Sequence, residues 1–216
     1  MKLSNEQLVI LLAVVPNAIA ALVAALRWRQ LPSPLRTLAV LVWFALFTEV
    51  FCRVLWLLKW SNLFAFPIYV TIEFGLLAGL YSQVIGGRWL PRLRWPLVVG
   101  LGVVAGLEGF LHFAQGVVVG NLARLLESLF VILLTLTYYY TSLRRPSSAY
   151  IWREPMFWVS TGLLFFFAGN FLIYTFMNFA YYYHRQQAVQ IWVVHAALNS
   201  ILYSTYAYAL WISPKR

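Results

Sequence analysis

The sequence contains no aspartate, only three lysines and a single cysteine, Cys52, among its 216 residues. One cysteine excludes both a disulfide framework and a cysteine-based metal cluster. Without aspartate, no Ser-His-Asp catalytic set can form. The lysines, Lys2, Lys59 and Lys215, all lie outside the last apolar run, so the Schiff-base lysine that retinal requires is absent. A rhodopsin pigment is therefore excluded, and we expect no resident cofactor.

Charge of either sign is also scarce, and long apolar runs take its place. Charged residues make up 10% of the chain and hydrophobic residues 62%, whereas soluble domains are about 25% charged. Apolar runs of about 18 residues or more are long enough to cross a membrane as helices. The sequence predicts an all-α integral membrane protein, a single seven-helix domain over residues 1–216. The predicted spans are approximately residues 5–26, 38–58, 63–85, 96–114, 121–142, 156–178 and 190–211.

The net charge of +10 does not indicate a nucleic-acid partner, because most basic residues lie in short loops between apolar runs. Cytoplasmic loops of membrane proteins carry an excess of arginine and lysine. The first, third and fifth loops hold Arg27, Arg29 and Arg36, then Arg88, Arg92 and Arg94, then Arg144, Arg145 and Arg153. This pattern predicts an outside amino terminus and a cytoplasmic carboxyl terminus. We expect a multi-pass protein of the cell membrane, in a bacterial inner membrane, with the lipid bilayer as its surroundings.

Several charged residues fall inside the predicted spans. A charge at the bilayer centre costs about 2.5–3.5 kcal/mol on insertion scales, so it needs a partner. The stretch FTEVFCRVLW places Glu49 and Arg53 four positions apart on one helix face, and we expect them to pair. At 1.5 Å per residue, Glu49 and Glu73 lie about 15 Å from the outer edge of the membrane. Glu108 and Glu127 lie about 9 Å deep by the same count.

Asn170, His195 and Asn199 fall within the same outer slab. Single polar residues often serve only as interhelical hydrogen bonds, worth about 0.6 kcal/mol on average. Scattered structural contacts would not share one depth, so we expect an internal polar cavity open to the outside. Arg53 and Arg124 cannot neutralise all the glutamates, so either some are protonated or the cavity takes a cation. The predicted lining is Glu49, Arg53, Glu73, Glu108, Glu127, Asn170, His195 and Asn199.

This cavity predicts a receptor-like or sensory membrane protein that binds a small molecule or cation. The connections are too short for a soluble domain, so the signal would pass to a separate cytoplasmic or membrane partner. Two alternatives stay open, and no catalytic residue is assigned. Glu73, Glu108 and His195 could hold a metal in a membrane-embedded, metal-dependent enzyme. A small-solute or proton-coupled transporter would need a polar path through both halves, but the inner halves are mostly apolar.

The last two spans carry a resemblance to known sequences. They read FWVSTGLLFFFAGNFLIYTFMN and IWVVHAALNSILYSTYAYALW, with Gly-Asn after a run of aromatics in one and His-x-x-x-Asn in the other. The last third of the chain thereby resembles uncharacterised bacterial seven-transmembrane proteins encoded beside sensor histidine kinases. The resemblance implies a sensory role exerted through a separate kinase. It assigns no catalytic residue.

Overall fold

The chain is all α-helical over the residues that the computed structural model describes, which are 14–60, 62, 64–87, 89–115, 122–144, 148–183 and 185–214. No β-strand occurs in these ranges. Two short 3-10 helices cover Trp28–Gln30 and Ser148–Arg153. The α-helices of the described ranges are α1 Val14–Arg27, α2 Ser33–Leu57, α3 Ala65–Val84, α4 Trp89–Gln115, α5 Leu122–Leu143, α6 Pro155–Tyr183 and α7 Arg185–Ile212.

Five helices of the described chain, α2 to α6, are long and apolar enough to cross a membrane. This supports the predicted membrane character, although two of these five helices begin several residues before their predicted spans. α2 begins at Ser33 rather than residue 38, and α4 begins at Trp89 rather than residue 96. Pro34, Pro91 and Pro155 lie in the first turns of α2, α4 and α6. Proline favours a helix start, because backbone N–H groups in the first turn have no intrahelical acceptor.

The first and last predicted spans are less fully tested. The structure describes α1 only from Val14, so the start of the predicted span 5–26 lies outside the described residues. α7 has 28 residues, enough to cross a bilayer, but it is not apolar enough to count among the five candidate spans. The described chain is therefore all-helical with five helices able to cross a membrane, whereas the count of seven spans stays a prediction.

The helices of the described chain form a closed ring. Each helix packs against the next, and α1 packs against α7. α3 also contacts α5, which leaves α4 at the periphery between these two neighbours. Only 17% of the apolar window of α4 is buried, compared with 44% for those of α3 and α6. Side chains from α4 therefore contribute little to the interior of the bundle.

Short connections make consecutive helices antiparallel, which gathers the arginines of three loops at one end of the bundle. This arginine-rich end comprises, among the described residues, Arg27, Arg29, Arg36, Arg92, Arg94, Arg144 and Arg153. Arg27 donates hydrogen bonds to the backbone carbonyls of Trp211 and Ser213, the latter at 2.8 Å. Carbonyls at a helix carboxyl end lack intrahelical donors, so Arg27 both caps α7 and fastens it to α1.

The most extensive helix pair is α6 with α7, and two glycines allow its close approach. A Cβ atom added at Gly162 would overlap the side chain of Thr205. A Cβ atom added at Gly169 would overlap the side chain of Leu198. Small residues at such contacts let helix backbones approach closely in membrane bundles.

We expect Gly162→Ala to destabilise the α6–α7 contact by about 1–3 kcal/mol, the usual cost of overpacking. Thr205 is branched at Cβ and hydrogen-bonds the carbonyl of Leu202 at 2.7 Å, so it cannot easily move away. Gly100→Ala is the control, because nothing lies within 4 Å of a Cβ added there. Thermal unfolding of the detergent-solubilised protein measures both. Equal melting temperatures for Gly162→Ala and the parent would contradict this packing.

Candidate functional site

A cavity of about 500 Å³ lies at the end of the bundle opposite the arginine-rich end. Among the described elements, α2, α3, α5, α6 and α7 line it, together with Asn62. Its polar lining is Thr48, Glu49, Asn62, Glu73, Arg124, Ser128, Asn170, His195 and Asn199. Its aromatic lining is Phe66, Tyr69, Phe166, Phe167, Tyr174, Trp192 and Tyr203. A concave site of this size, with convergent polar groups among aromatic ones, is typical of small-ligand pockets.

Glu49 is held by two donors from different helices. Arg53 Nη2 donates to Glu49 Oε1 at 3.0 Å, so the pairing predicted from their spacing is observed. Asn17 Nδ2, which is fully buried on α1, donates to Glu49 Oε2 at 3.2 Å. The sequence interpretation missed Asn17, although an asparagine inside an apolar run was a usable signal. These bonds orient the Glu49 carboxylate at the wall of the cavity and join α1 to α2.

Arg124 connects two further carboxylates. Its Nη1 donates to Glu73 Oε2 at 3.0 Å and to Glu127 Oε2 at 2.8 Å. One guanidinium nitrogen can do this because it carries two N–H groups. The Tyr69 hydroxyl donates to the other oxygen of Glu73 at 3.0 Å. Glu73 and Arg124 line the cavity, whereas Glu127 is fully buried behind them and does not line it.

Two aromatic rings also surround the Arg124 guanidinium. It lies 5.3 Å from the centroid of Phe66 and 5.1 Å from that of Tyr69. Aromatic faces attract cations, and the attraction is stronger where water is excluded. Sequence reasoning treated Arg124 only as a counter-charge, but it is the residue through which α3 and α5 are joined at the cavity.

Asn170 determines which nitrogen of His195 carries a proton. Asn170 Nδ2 donates to the carbonyl of Phe166 at 3.0 Å, so its Oδ1 faces His195 Nδ1, 2.6 Å away. Because Oδ1 can only accept, Nδ1 of His195 is the donor. In the neutral ring, Nε2 is then the acceptor. The imidazole lies between the rings of Phe166 and Trp192, with centroids 5.7 and 5.5 Å away.

The structure brings five of the predicted residues together around the cavity and gives the other three different surroundings. The lining contains Glu49, Glu73, Asn170, His195 and Asn199. Arg53 and Glu127 stand just behind it, each paired with a lining residue.

Glu108 lies elsewhere, on the peripheral helix α4. Its two oxygens accept the backbone N–H groups of Leu122 at 2.7 Å and Ala123 at 3.0 Å. These residues begin α5, where backbone N–H groups lack intrahelical acceptors and favour a carboxylate. Glu108 was predicted in the site because it shares the depth of the other polar residues. In the structure its side chain contacts the start of α5 instead of the cavity. Its role here is to position the start of α5, which carries Arg124.

The metal set considered from the sequence, Glu73, Glu108 and His195, is not assembled in this structure. Within the described ranges, no group of three or more His, Cys, Asp or Glu side chains could hold a metal ion. Glu108 is occupied by the start of α5, and Glu73 is occupied by Arg124 and Tyr69.

Comparisons with protein-family models, curated proteins and solved structures find no match to this chain. Its function is therefore inferred from the geometry of the cavity.

We expect Arg124→Leu to destabilise the protein by about 3–5 kcal/mol, because removal of one partner leaves buried carboxylates uncompensated. Adding Glu127→Leu to that variant should recover part of the loss, since one uncompensated charge disappears. Arg144→Leu is the control, because Arg144 is exposed and its guanidinium lies 4.2 Å from the ring centroid of Tyr140, away from the carboxylates of the cavity. The measurement is thermal unfolding in detergent. A double variant no more stable than Arg124→Leu would show that the two residues are not energetically coupled.

Proposed function

We propose that this protein is a seven-span membrane receptor or sensor whose ligand site is the cavity, open to the outside. The observation that carries the proposal is the convergence of polar groups from separate helices on one cavity of about 500 Å³. Helix packing alone would satisfy such groups in pairs at helix contacts. Here Glu49, Glu73 and His195 make such pairs and, with Asn199, also share one space, as the binding of a small polar ligand requires.

The distribution of arginines supports the orientation. The arginine-rich end is the cytoplasmic end under the positive-inside rule, so the cavity opens at the outer end. α1 and α7 complete the ring as the first and seventh spans. At 1.5 Å per residue, the 28 residues of α7 extend about 42 Å. The polar residues that lower its hydropathy include His195 and Asn199, which face the cavity rather than lipid. We place the protein in a bacterial inner membrane.

The output of the sensor would pass through the arginine-rich end to a separate partner. Among the described residues, the connections there are short and carry a concentration of guanidinium groups, which suit an acidic protein surface. α6 and α7 contain the stretches that resemble proteins encoded beside sensor histidine kinases, and they also supply Asn170 and His195 to the cavity. A helix pair that both lines the site and reaches the cytoplasmic end is suited to transmit ligand binding to a partner there.

A proton-coupled transporter is the second candidate, and one observation favours it. Buried hydroxyl groups also lie in the inner half, which the sequence led us to expect to be mostly apolar. The Tyr81 hydroxyl lies 2.9 Å from Ser160 Oγ, and both residues are fully buried. Nearer the arginine-rich end, the Tyr138 hydroxyl donates to Glu154 at 3.2 Å. Hydrogen-bonded hydroxyl groups of this kind can carry a proton.

Cys52 provides a test, because the only cysteine of the chain lines the cavity. We expect a membrane-impermeant thiol reagent to label Cys52 in sealed right-side-out vesicles and not in inside-out vesicles. A cavity that opens only outward has this property, whereas a transporter with alternating access exposes the cysteine to both sides. Labelling is measured by the mass of the purified protein.

The Cys52→Ala variant should show no labelling, and a permeant reagent should label Cys52 in both kinds of vesicle. Labelling from the inside alone would reverse the proposed orientation. Labelling from both sides would favour the transporter over the sensor.

A further inference from the structure

The hydrogen bonds around the cavity leave acceptors facing it. Glu73 accepts a hydrogen bond from Tyr69 at one oxygen and from Arg124 at the other. Glu49 likewise accepts from Arg53 at one oxygen and from Asn17 at the other. Each carboxylate oxygen has two lone pairs, so each of these described bonds uses one and leaves another. The Glu49 and Glu73 carboxylates therefore orient donors of the protein and can still accept from a ligand.

His195 adds a neutral acceptor. Its Nδ1 donates to Asn170, so Nε2 carries the lone pair of the neutral imidazole. His195 lines the cavity, and the described ring contacts hold it between Phe166 and Trp192. A ligand that meets this nitrogen must bring an N–H or O–H group.

If every glutamate is ionised, the carboxylates in or behind the described wall outnumber the arginines that face them by one. Among the described residues, the carboxylates in or directly behind the wall are Glu49, Glu73 and Glu127. The guanidinium groups that face them are Arg53 and Arg124. With all of these groups ionised and His195 neutral, a single positive charge would balance the site. Buried charge without compensation is costly in a membrane, so either one carboxyl group, such as that of the fully buried Glu127, holds a proton or a monovalent cation enters the cavity. The lone pairs that Glu49 and Glu73 keep at the wall are suited to the cation.

The aromatic lining suggests what kind of cation. Arg124 shows that cations are accommodated there, because its guanidinium lies over Phe66 and Tyr69. The remaining aromatic lining is Phe166, Phe167, Tyr174, Trp192 and Tyr203. Aromatic surfaces recognise organic ammonium groups, whereas small hard ions prefer a cage of oxygen ligands. A space of about 500 Å³ also far exceeds the size of a bare metal ion.

An anion fits poorly by comparison. Arg124 is the guanidinium that lines the cavity, and its Nη1 is already held by Glu73 and Glu127. Its Nε is buried and therefore does not face a ligand. An anionic ligand could still accept from Arg124 Nη2, but it would have to approach the Glu49 and Glu73 carboxylates to do so.

We infer that the cavity binds a small organic ammonium ion, held by Glu49 and Glu73, by the aromatic lining and by His195 Nε2 where the ion carries an N–H group. The inference rests on the proposed function, because it names the ligand class of the same site. It predicts that positively charged molecules enter the cavity in preference to negatively charged ones.

The test uses two methanethiosulfonate reagents of similar size, one with a trimethylammonium group and one with a sulfonate. In both, the Cys52 thiolate attacks the sulfenyl sulfur, methanesulfinate leaves and a mixed disulfide forms, so no oxidant is needed. Rates are measured in detergent, and each is divided by the rate of the same reagent with 2-mercaptoethanol. We expect the normalised rate to be about tenfold higher for the cationic reagent, at the lower end of the range for charged clefts.

The second measurement is the protection of Cys52 from modification by an added ammonium ion. Tetramethylammonium chloride should slow the modification of Cys52 more than sodium chloride does at equal concentration. Glu73→Gln should reduce both the charge preference and the protection severalfold, since it removes the excess negative charge. Glu154→Gln is the matched control, because Glu154 lies at the arginine-rich end and should leave both unchanged.

Equal normalised rates, a faster sulfonate reagent or protection no greater than that by sodium chloride would overturn the ammonium inference. The outward-facing cavity would survive these results, because it is tested separately in sealed vesicles. If Glu73→Gln does not fold, as judged by its melting temperature, the charge preference and the protection measured on the parent protein still test the ammonium inference. A Cys52 that reacts with neither reagent in detergent would overturn both the inference and an accessible cavity.

Discussion

The fold at the cavity depends on how one guanidinium group is compensated inside an apolar bundle. Arg124 cannot remain unpaired there, and neither can Glu73 or Glu127. Together they join the start of α5 to the middle of α3. Glu108 holds the start of α5 through backbone N–H groups, so a residue on the peripheral helix helps to set where Arg124 stands. The polar network thus helps to set the positions of the helices, and the cavity is the space left between them.

The same network explains how a site of this kind could respond to a ligand. Each carboxylate in the wall already holds a donor from its own helix or from a neighbour, as Glu49 does with Arg53 and Asn17. A ligand that competes for these lone pairs changes the energy of contacts between helices as well as its own binding energy. Binding and helix arrangement are then coupled, and each biases the other by the same free energy.

The sequence predicted the helices and the pairing of Glu49 with Arg53, because both depend on local spacing. It also placed Asn170 and His195 at one depth, where the structure brings them within hydrogen-bonding distance. Glu108 was predicted to line the cavity, but it contacts the start of α5. Its depth follows from counting residues, whereas the direction of its side chain depends on how its helix packs. Asn17 was missed for a similar reason, since its partner on α2 is 32 positions away. The inner hydroxyl groups were underestimated because tyrosines in an aromatic-rich chain resemble packing residues until their partners are seen.

The bond between Arg27 and the end of α7 joins residues 186 positions apart, so the ring is closed by the first and last of the described helices. Membrane insertion proceeds from the amino end, and α1 leaves the ribosome long before α7 exists. Until α7 has been made, the growing bundle is an open arc whose two edge helices face lipid. Nonlocal contacts of this kind form late and leave partly assembled chains exposed to misassembly. A nascent chain truncated before α7 would therefore lack both a wall of the cavity and the closure of the ring, and quality-control proteases could recognise it by those unpaired edges.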